Sequence, residues 1–147
     1  MPRSQKNMRV VIADGSSSVL RLLTEVLRGV GVDRIYTARG GRELVQHTIE
    51  YLPDLVITTS RLPEISGLDF TRRVRMGLGN VRRDLPIIVM TDTATKGFLD
   101  AAMASGVDEM LVRPFTGEAV LDRINAVLHS KREFVDSATY VGPCRRR

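Results

Sequence analysis

The sequence predicts an α/β fold, a doubly wound, five-stranded parallel sheet with helices on both faces. Five short apolar runs alternate along the 147 residues with five segments in which apolar residues recur at helical spacing. Runs such as residues 55–57 and 87–90 are apolar at consecutive positions, which is typical of strands covered on both faces. Because each crossover returns the chain in the same right-handed sense, helices are expected on both sides of the sheet.

The predicted elements follow in order, separated by turns rich in glycine, serine and proline. The strands cover residues 9–14, 35–38, 54–59, 86–91 and 109–112. The helices cover residues 19–30, 42–52, 66–76, 95–105 and 116–131. Serines 16–18 suit the cap of the first helix, and Gly29 and Gly106 suit helix ends.

The chain length suits one domain, residues 8–131, between two basic tails, residues 1–7 and 132–147. The C-terminal tail lacks periodicity, and we expect it to be extended or flexible. Residues 1–9 and 131–147 contain eight of the 22 basic residues but two of the 17 acidic ones, so the body has a net charge of −1. This distribution argues against a broad nucleic-acid-binding face and leaves the tails as sites for anionic partners.

Composition also restricts the class of protein. No apolar run approaches the roughly 20 residues that a membrane span requires, and the first nine residues are polar, so we expect a cytoplasmic protein. Cys144 is the only cysteine, which excludes an intrachain disulfide or a cysteine-rich metal site.

Polar residues follow the third strand. Residues 58–61 would stand at the carboxyl end of this strand, where open α/β sheets place their sites, and Pro63 and Gly67 would hold the turn beyond. The first strand likewise ends in a carboxylate, Asp14. We therefore expect the functional site at this edge of the sheet.

Four framework segments carry a family resemblance: residues 53–56 (PDLV), 62–63 with 67–68 (LP and GL), 86–88 (PII) and 114–115 (PF). On these segments the chain resembles the receiver domain of bacterial two-component response regulators, above all the single-domain chemotaxis type, over about residues 8–131. The resemblance implies a flavodoxin-like (βα)5 receiver fold. It also implies a pocket of two acidic residues, a phosphoacceptor aspartate, a serine or threonine, and a lysine before proline, which bind magnesium and accept phosphate from a histidine kinase.

This chain departs from that pocket. Asp14 and Thr91 match it. The departures are Ala13 for the first acidic residue, Thr59 for the phosphoacceptor, Arg113 before Pro114 for the lysine, and Met110 where a tyrosine or phenylalanine usually reports the switched state. The resemblance therefore implies a degenerate pocket, a pseudo-receiver that is not an enzyme.

The chemistry of these residues supports the same interpretation. Magnesium usually requires two carboxylates, and a threonine hydroxyl is a weak nucleophile without a base. We therefore expect no cofactor and lost or weak magnesium binding. We expect Arg113 or Arg61 to pair with Asp14 in the space of the metal; the alternative is that Asp14 only caps the first helix. Asp92 is either a substitute carboxylate at the pocket mouth or a cap or turn residue for the following helix.

Two further features stay open. Five arginines surround the third helix and could hold a nucleotide or an acidic protein, or could form a solvated face: Arg72, Arg73, Arg75, Arg82 and Arg83. The tail combines an aromatic residue with arginines, a pattern suited to anion binding: Tyr140, Arg145, Arg146 and Arg147. It is similar to the arginine-rich extensions with which some chemotaxis-like regulators recognise a cyclic dinucleotide; the alternative is a disordered, solubilising end.

The function that we predict is docking without phosphorylation. The resemblance places the surface on the fourth helix, fifth strand and fifth helix, residues 95–131, and implies as partner a sensor kinase, a motor component, a cyclase or a second copy of the chain. One alternative is a nucleotide second-messenger adaptor that uses the tail. Another is a phosphoacceptor that uses Asp14 or Asp92.

Overall fold

A five-stranded parallel sheet forms the centre of the molecule in the computed structural model, which describes residues 7–129 and 132–145. Its strands are β1 (Arg9–Ala13), β2 (Arg34–Ala38), β3 (Leu55–Thr59), β4 (Ile87–Thr91) and β5 (Glu109–Val112). The helices are α1 (Ser17–Gly29), α2 (Gly41–Tyr51), α3 (Gly67–Met76), α4 (Lys96–Ser105) and α5 (Gly117–His129). The strand order β2-β1-β3-β4-β5 confirms the predicted doubly wound α/β class.

Two hydrophobic cores lie on opposite faces of the sheet because successive side chains of a strand point to opposite sides. On β1, Val10 and Ile12 face the core beneath α1 and α5, whereas Val11 and Ala13 face the core beneath α2, α3 and α4. All five residues of β3 and of β4 are buried. This double coverage explains why the central strands are apolar at consecutive positions.

Helix caps explain the small differences between predicted and observed bounds. Ser66 and Thr95, which we predict as first helical residues, are N-caps whose hydroxyls accept hydrogen bonds from the N–H groups of Asp69 and Phe98. The N-cap of α1 is Ser16. Gly106 ends α4 at φ +93°, a conformation that favours glycine. The predicted end of the last helix, Lys131, lies outside the described residues, as do residues 1–6 of the N-terminal tail.

The C-terminal tail differs from its prediction. In place of an extended or flexible segment, the structure has an antiparallel hairpin of β6 (Phe134–Asp136) and β7 (Val141–Pro143). The hairpin packs on the body: Arg83 donates to Asp136 at 2.9 Å, and the backbones of Gly106 and Gly142 approach so closely that a Cβ on either would clash. These contacts with distant residues order the segment, and the prediction of a flexible tail is wrong for residues 134–143.

Arg75 organises the amino-terminal edge of the sheet, beside the hairpin. Its side chain is 1% exposed and donates to the carbonyls of Gly106, Arg83 and Leu85 and to the carboxylate of Asp108 at 2.7–2.9 Å. Burial lowers the pKa of Arg75 and raises the pKa of Asp108, and the attraction between the two charges opposes both shifts. Four good hydrogen bonds compensate the cost of burying this cation.

Among the described residues, no helix is both long and apolar enough to cross a membrane.

We predict that Arg75→Ala destabilises the protein by about 3–5 kcal/mol, because it removes the cation that pairs with the Asp108 carboxylate and the donor to three carbonyls. Urea denaturation followed by circular dichroism measures the change. Arg72→Ala is the matched control, since Arg72 lies exposed on the same helix with Asp69 as its partner; its cost should stay within about 0.5 kcal/mol. Equal costs for the two variants would contradict the prediction.

Candidate functional site

The predicted site lies at the carboxyl edge of the sheet. Asp14 directly follows β1, Thr59 and Thr91 end β3 and β4, and Arg113 directly follows β5. Because these neighbouring parallel strands end at the same edge, their last residues come together in space. The turn beyond β3 closes against the strand through a hydrogen bond from the N–H of Gly67 to the carbonyl of Ser60 at 3.0 Å. A Cβ at Gly67 would stand 2.5 Å from the carbonyl oxygen of Thr59, so this approach requires glycine.

Arg113 lies at the centre of the site. Its Nη2 donates to the Oδ2 of Asp14 and, at 3.2 Å, to the Oγ1 of Thr59. Its Nε lies 3.3 Å from the Oδ1 of Asp92. One guanidinium group therefore connects the ends of β1, β3 and β4 from its own position after β5. With two carboxylates and one guanidinium, this group of side chains has a net charge of −1.

The Asp14 carboxylate is fully engaged. Its side chain is 7% exposed; Oδ1 accepts from the N–H of Ser16 at 2.9 Å, and Oδ2 accepts from Arg113. Since Ser16 is the N-cap of α1, the alternative that Asp14 merely caps this helix is wrong. The expected pairing with an arginine is present, and Arg113 makes it. Arg61 is exposed, and within the described residues its side chain makes no hydrogen bond or ion pair.

Asp92 stands at the mouth of the site, with a side chain 68% exposed and paired with the Nε of Arg113. Thr95, three residues later, is the N-cap of α4, so Asp92 itself does not cap the helix. The position of its carboxylate agrees with the first predicted alternative, a substitute carboxylate at the mouth of the pocket. Arg113 already neutralises part of its charge.

The hydroxyls of the site are buried. Thr59 accepts the hydrogen bond from Arg113, and the Oγ1 of Thr91 accepts from the N–H of Thr93 at 3.0 Å. Met110, in β5, is half-buried and packs against the core beneath α2, α3 and α4. Ala13 is fully buried in the same core and contributes no polar atom.

The predicted anion-binding residues of the tail lie elsewhere. Nη2 of Arg145 donates to the carbonyls of Met103 and Val107 at 2.9 and 2.5 Å, at the C-terminus of α4, and the guanidinium carbon lies 5.5 Å from the centroid of the Tyr140 ring. A cation at a helix C-terminus is stabilised by the helix dipole. Tyr140 and Arg145 therefore attach the hairpin to α4. Sequence reasoning did not find this contact, which joins residues about 40 positions apart. Arg146 and Arg147 lie outside the described residues, and cyclic dinucleotide binding by the tail stays a prediction.

Comparisons with known proteins show the family and the fold. The family model of the response regulator receiver domain matches residues 10–125. Chemotaxis protein CheY1 of Helicobacter pylori J99 is 28% identical over 122 residues, which are 82% of this chain and 97% of CheY1. The DNA-binding response regulator MtrA of Mycobacterium tuberculosis H37Rv is 30% identical over 120 residues, and this chain spans 50% of its length. The structure of chemotaxis response regulator CheY4 of Vibrio cholerae is similar, with a TM-score of 0.75, 26% identity and coverage of 82% of this chain and 98% of CheY4.

We predict that Arg113→Ala increases the affinity of the site for Mg²⁺. The substitution removes the cation that occupies Asp14 and Asp92, so the two carboxylates become free to accept hard, oxygen-seeking cations. Thermal unfolding at increasing MgCl₂ concentration should show a larger rise in Tm for this variant than for the unsubstituted protein. Arg61→Ala removes an unpaired arginine near the same edge and serves as the control. Equal responses of all three proteins would contradict the prediction.

Proposed function

The chain belongs to the response regulator receiver domain family, and we propose that it signals in two-component pathways without phosphorylation of an aspartate, by docking on another protein. The main observation in support of this proposal is the position of Arg113, whose guanidinium contacts Asp14, Thr59 and Asp92 at once. A receiver whose pocket already contains a fixed cation has no need of a metal to balance its carboxylates.

Magnesium binding does not suit these donors. Within the described part of the chain, Asp14 is the only buried carboxylate at this edge, and both of its oxygens already accept hydrogen bonds. A dication would have to displace the Arg113 guanidinium and leave it beside the metal, where like charges repel. In addition, Mg²⁺ keeps a strict octahedral shell and gives up its waters reluctantly.

Thr59 lacks the chemistry of a phosphoacceptor. Its hydroxyl is uncharged, buried and directed to a cation that cannot act as a base, because arginine stays protonated. The neighbouring hydroxyl of Thr58 donates to the carbonyl of Thr59, so it supplies no base either. Asp14 and Asp92 are the remaining candidates for acyl phosphate formation, and each already pairs with Arg113.

The docking surface that we propose consists of α4, β5 and α5. β5 is an edge strand of the five-stranded sheet, and Val112 at its end is 38% exposed, whereas the other described valines in the strands of this sheet are buried. Receivers interact with other signalling proteins; one similar structure is the CheX-CheY-BeF3-Mg²⁺ complex from Borrelia burgdorferi, at 22% identity and a TM-score of 0.71. For this chain we propose a cytoplasmic sensor kinase, motor component or cyclase as partner, or a second copy.

We predict that incubation with acetyl phosphate and MgCl₂ leaves the mass of the protein unchanged. The two candidate carboxylates at the sheet edge, Asp14 and Asp92, already pair with Arg113, so neither is free to attack the phosphodonor. Intact-mass spectrometry at neutral pH measures the result. An added phosphoryl group that is labile to hydroxylamine would overturn the proposal, and peptide mapping would then decide between Asp14 and Asp92.

The matched control replaces three of the four departures, Ala13, Thr59 and Arg113, by the residues of the family pattern. A variant with Ala13→Asp, Thr59→Asp and Arg113→Lys regains two metal-binding carboxylates, a nucleophile and a shorter cation, and it should gain a phosphoryl group under the same conditions. Thr59→Asp alone should not, because Arg113 remains to pair with the new carboxylate bidentately. If the triple variant also gains no phosphoryl group, residues outside these three positions prevent the phosphorylation.

We predict that Val112→Glu weakens binding to the cognate sensor kinase by about tenfold or more, which corresponds to about 1.4 kcal/mol, because it places a charge in the proposed interface. Ile49→Glu on α2 is the control, since Ile49 is 45% exposed and lies on an element outside that surface. Surface plasmon resonance with the immobilised kinase gives both affinities. Equal effects of the two substitutions would contradict the proposed surface.

A further inference from the structure

A cavity of about 690 Å³ lies at the opposite, amino-terminal edge of the sheet. Pro86 precedes β4 at one wall, and Asp108 and Glu109 form the start of β5 beside it. The last turns of α5 and the C-terminal hairpin close the other sides. Small-molecule sites typically have volumes of about 300–1,000 Å³, so this cavity is large enough for a ligand of nucleotide size.

The cavity has an aromatic wall. Phe134 of the hairpin lines it together with Val127 of α5 and Pro143. The guanidinium carbon of Arg83 lies 5.5 Å from the centroid of the Phe134 ring, and Arg83 is not among the residues that line the cavity. An aromatic ring fixed by a cation in this way presents a flat surface on which a planar ring can stack.

Of the four arginines that line the cavity within the described residues, two already have close partners. Arg75 donates to Asp108 and to three carbonyls. Arg82 donates to Asp84 at 2.9 Å. These pairs neutralise one another and leave little capacity for a ligand.

The other two guanidinium groups, those of Arg123 and Arg132, can still donate hydrogen bonds to a ligand. Arg123 is 4.0 Å from Glu109, beyond hydrogen-bond distance. Among the described residues, the Arg132 side chain makes no hydrogen bond or ion pair, nor does that of the neighbouring Glu133. Arginine forks match phosphate oxygens bidentately, and carboxylates accept hydrogen bonds from hydroxyls and amines. The cavity thus offers an aromatic face, two phosphate-binding forks and two acceptors.

We propose that this cavity binds a nucleoside phosphate. The phosphate pairs with Arg123 and Arg132, the base stacks on Phe134, and Glu109 and Glu133 accept hydrogen bonds from ribose hydroxyls or an exocyclic amine. A free aromatic amino acid carries a single carboxylate and fills much less of the volume. The proposed site lies between α5 and the hairpin, and it is separate from the carboxyl edge where Arg113 lies.

Isothermal titration of the full chain with adenosine 5′-monophosphate and guanosine 5′-monophosphate tests the proposal. We expect one of the two to bind with a stoichiometry of one. Adenosine or guanosine, which lack the phosphate, and ribose 5-phosphate, which lacks the base, should each bind at least about tenfold more weakly. Absence of binding by both nucleotides overturns the proposal, as does binding of free tryptophan in their place.

Substitutions of the lining arginines test whether the nucleotide binds in this cavity. Arg132→Gln and Arg123→Gln should each weaken the affinity for the nucleotide by about tenfold or more, because a bond to a charged phosphate is lost. Arg132→Lys, which keeps the charge but not the fork, should lie between. Arg72→Gln removes an exposed arginine outside the cavity and should leave the affinity unchanged. Circular dichroism of each variant verifies folding. The proposal is overturned if neither Arg123→Gln nor Arg132→Gln lowers the affinity for the nucleotide. It is also overturned if Arg72→Gln lowers the affinity as much as they do. No phosphodonor is involved, so this outcome is independent of the test for aspartyl phosphorylation.

Discussion

The contact between Arg113 and Asp14 is the constraint on which the carboxyl edge of the sheet depends. A carboxylate with a side chain 7% exposed is costly unless a cation and hydrogen-bond donors compensate its charge. Arg113 provides the cation, the N–H of Ser16 provides a second donor, and the same guanidinium also satisfies the hydroxyl of Thr59. Removing the arginine would leave an unpaired buried charge, so the pocket keeps its shape through this side chain. The positive charge beside the Asp14 carboxylate thus comes from a side chain of the protein itself.

An arginine also organises the opposite edge, but with a different consequence. Arg75 is more deeply buried than Arg113 and bonds mainly to carbonyls, so it fixes the backbone around Gly106 and the loop before β4. Arg83 donates to the carbonyl of Arg75 at 2.6 Å and pairs with Asp136 of the hairpin. The arginine cluster seen in the sequence is therefore only partly a solvated face: Arg75 and Arg83 connect α3 to the C-terminal hairpin, whereas Arg72 is exposed beside Asp69.

Local signals explain which parts of the fold could be predicted. The apolar periodicity and the capping residues lie within each segment, so all five strands and helices were placed within about two residues of their bounds where the structure describes them. The sequence predicts that Asp14 pairs with Arg113 or Arg61. No local signal distinguishes the two arginines, because the pairing depends on where each strand end lies in space. The sequence does not predict the hairpin either, because the hairpin also depends on contacts between residues that are distant along the chain. Its strands have three residues each, and Gly142 and Pro143 are typical strand breakers; distant partners such as the carbonyl of Val107 stabilise it.

The two edges act together on α4. At its start, Arg113 pairs with Asp92 in the loop from β4, and Thr95 caps the helix. At its end, Arg145 donates to the carbonyl of Met103, and Gly106 packs against Gly142 of the hairpin. A helix that is fastened at both ends loses its conformational freedom when the protein folds rather than when a partner binds. Because ordering an interface is a substantial cost of association, a surface that contains a fixed α4 can bind its partner without a phosphorylation step to order it. The Arg113–Asp92 pair before α4 and the hairpin that follows α5 therefore favour the same outcome, a proposed docking surface held in one arrangement.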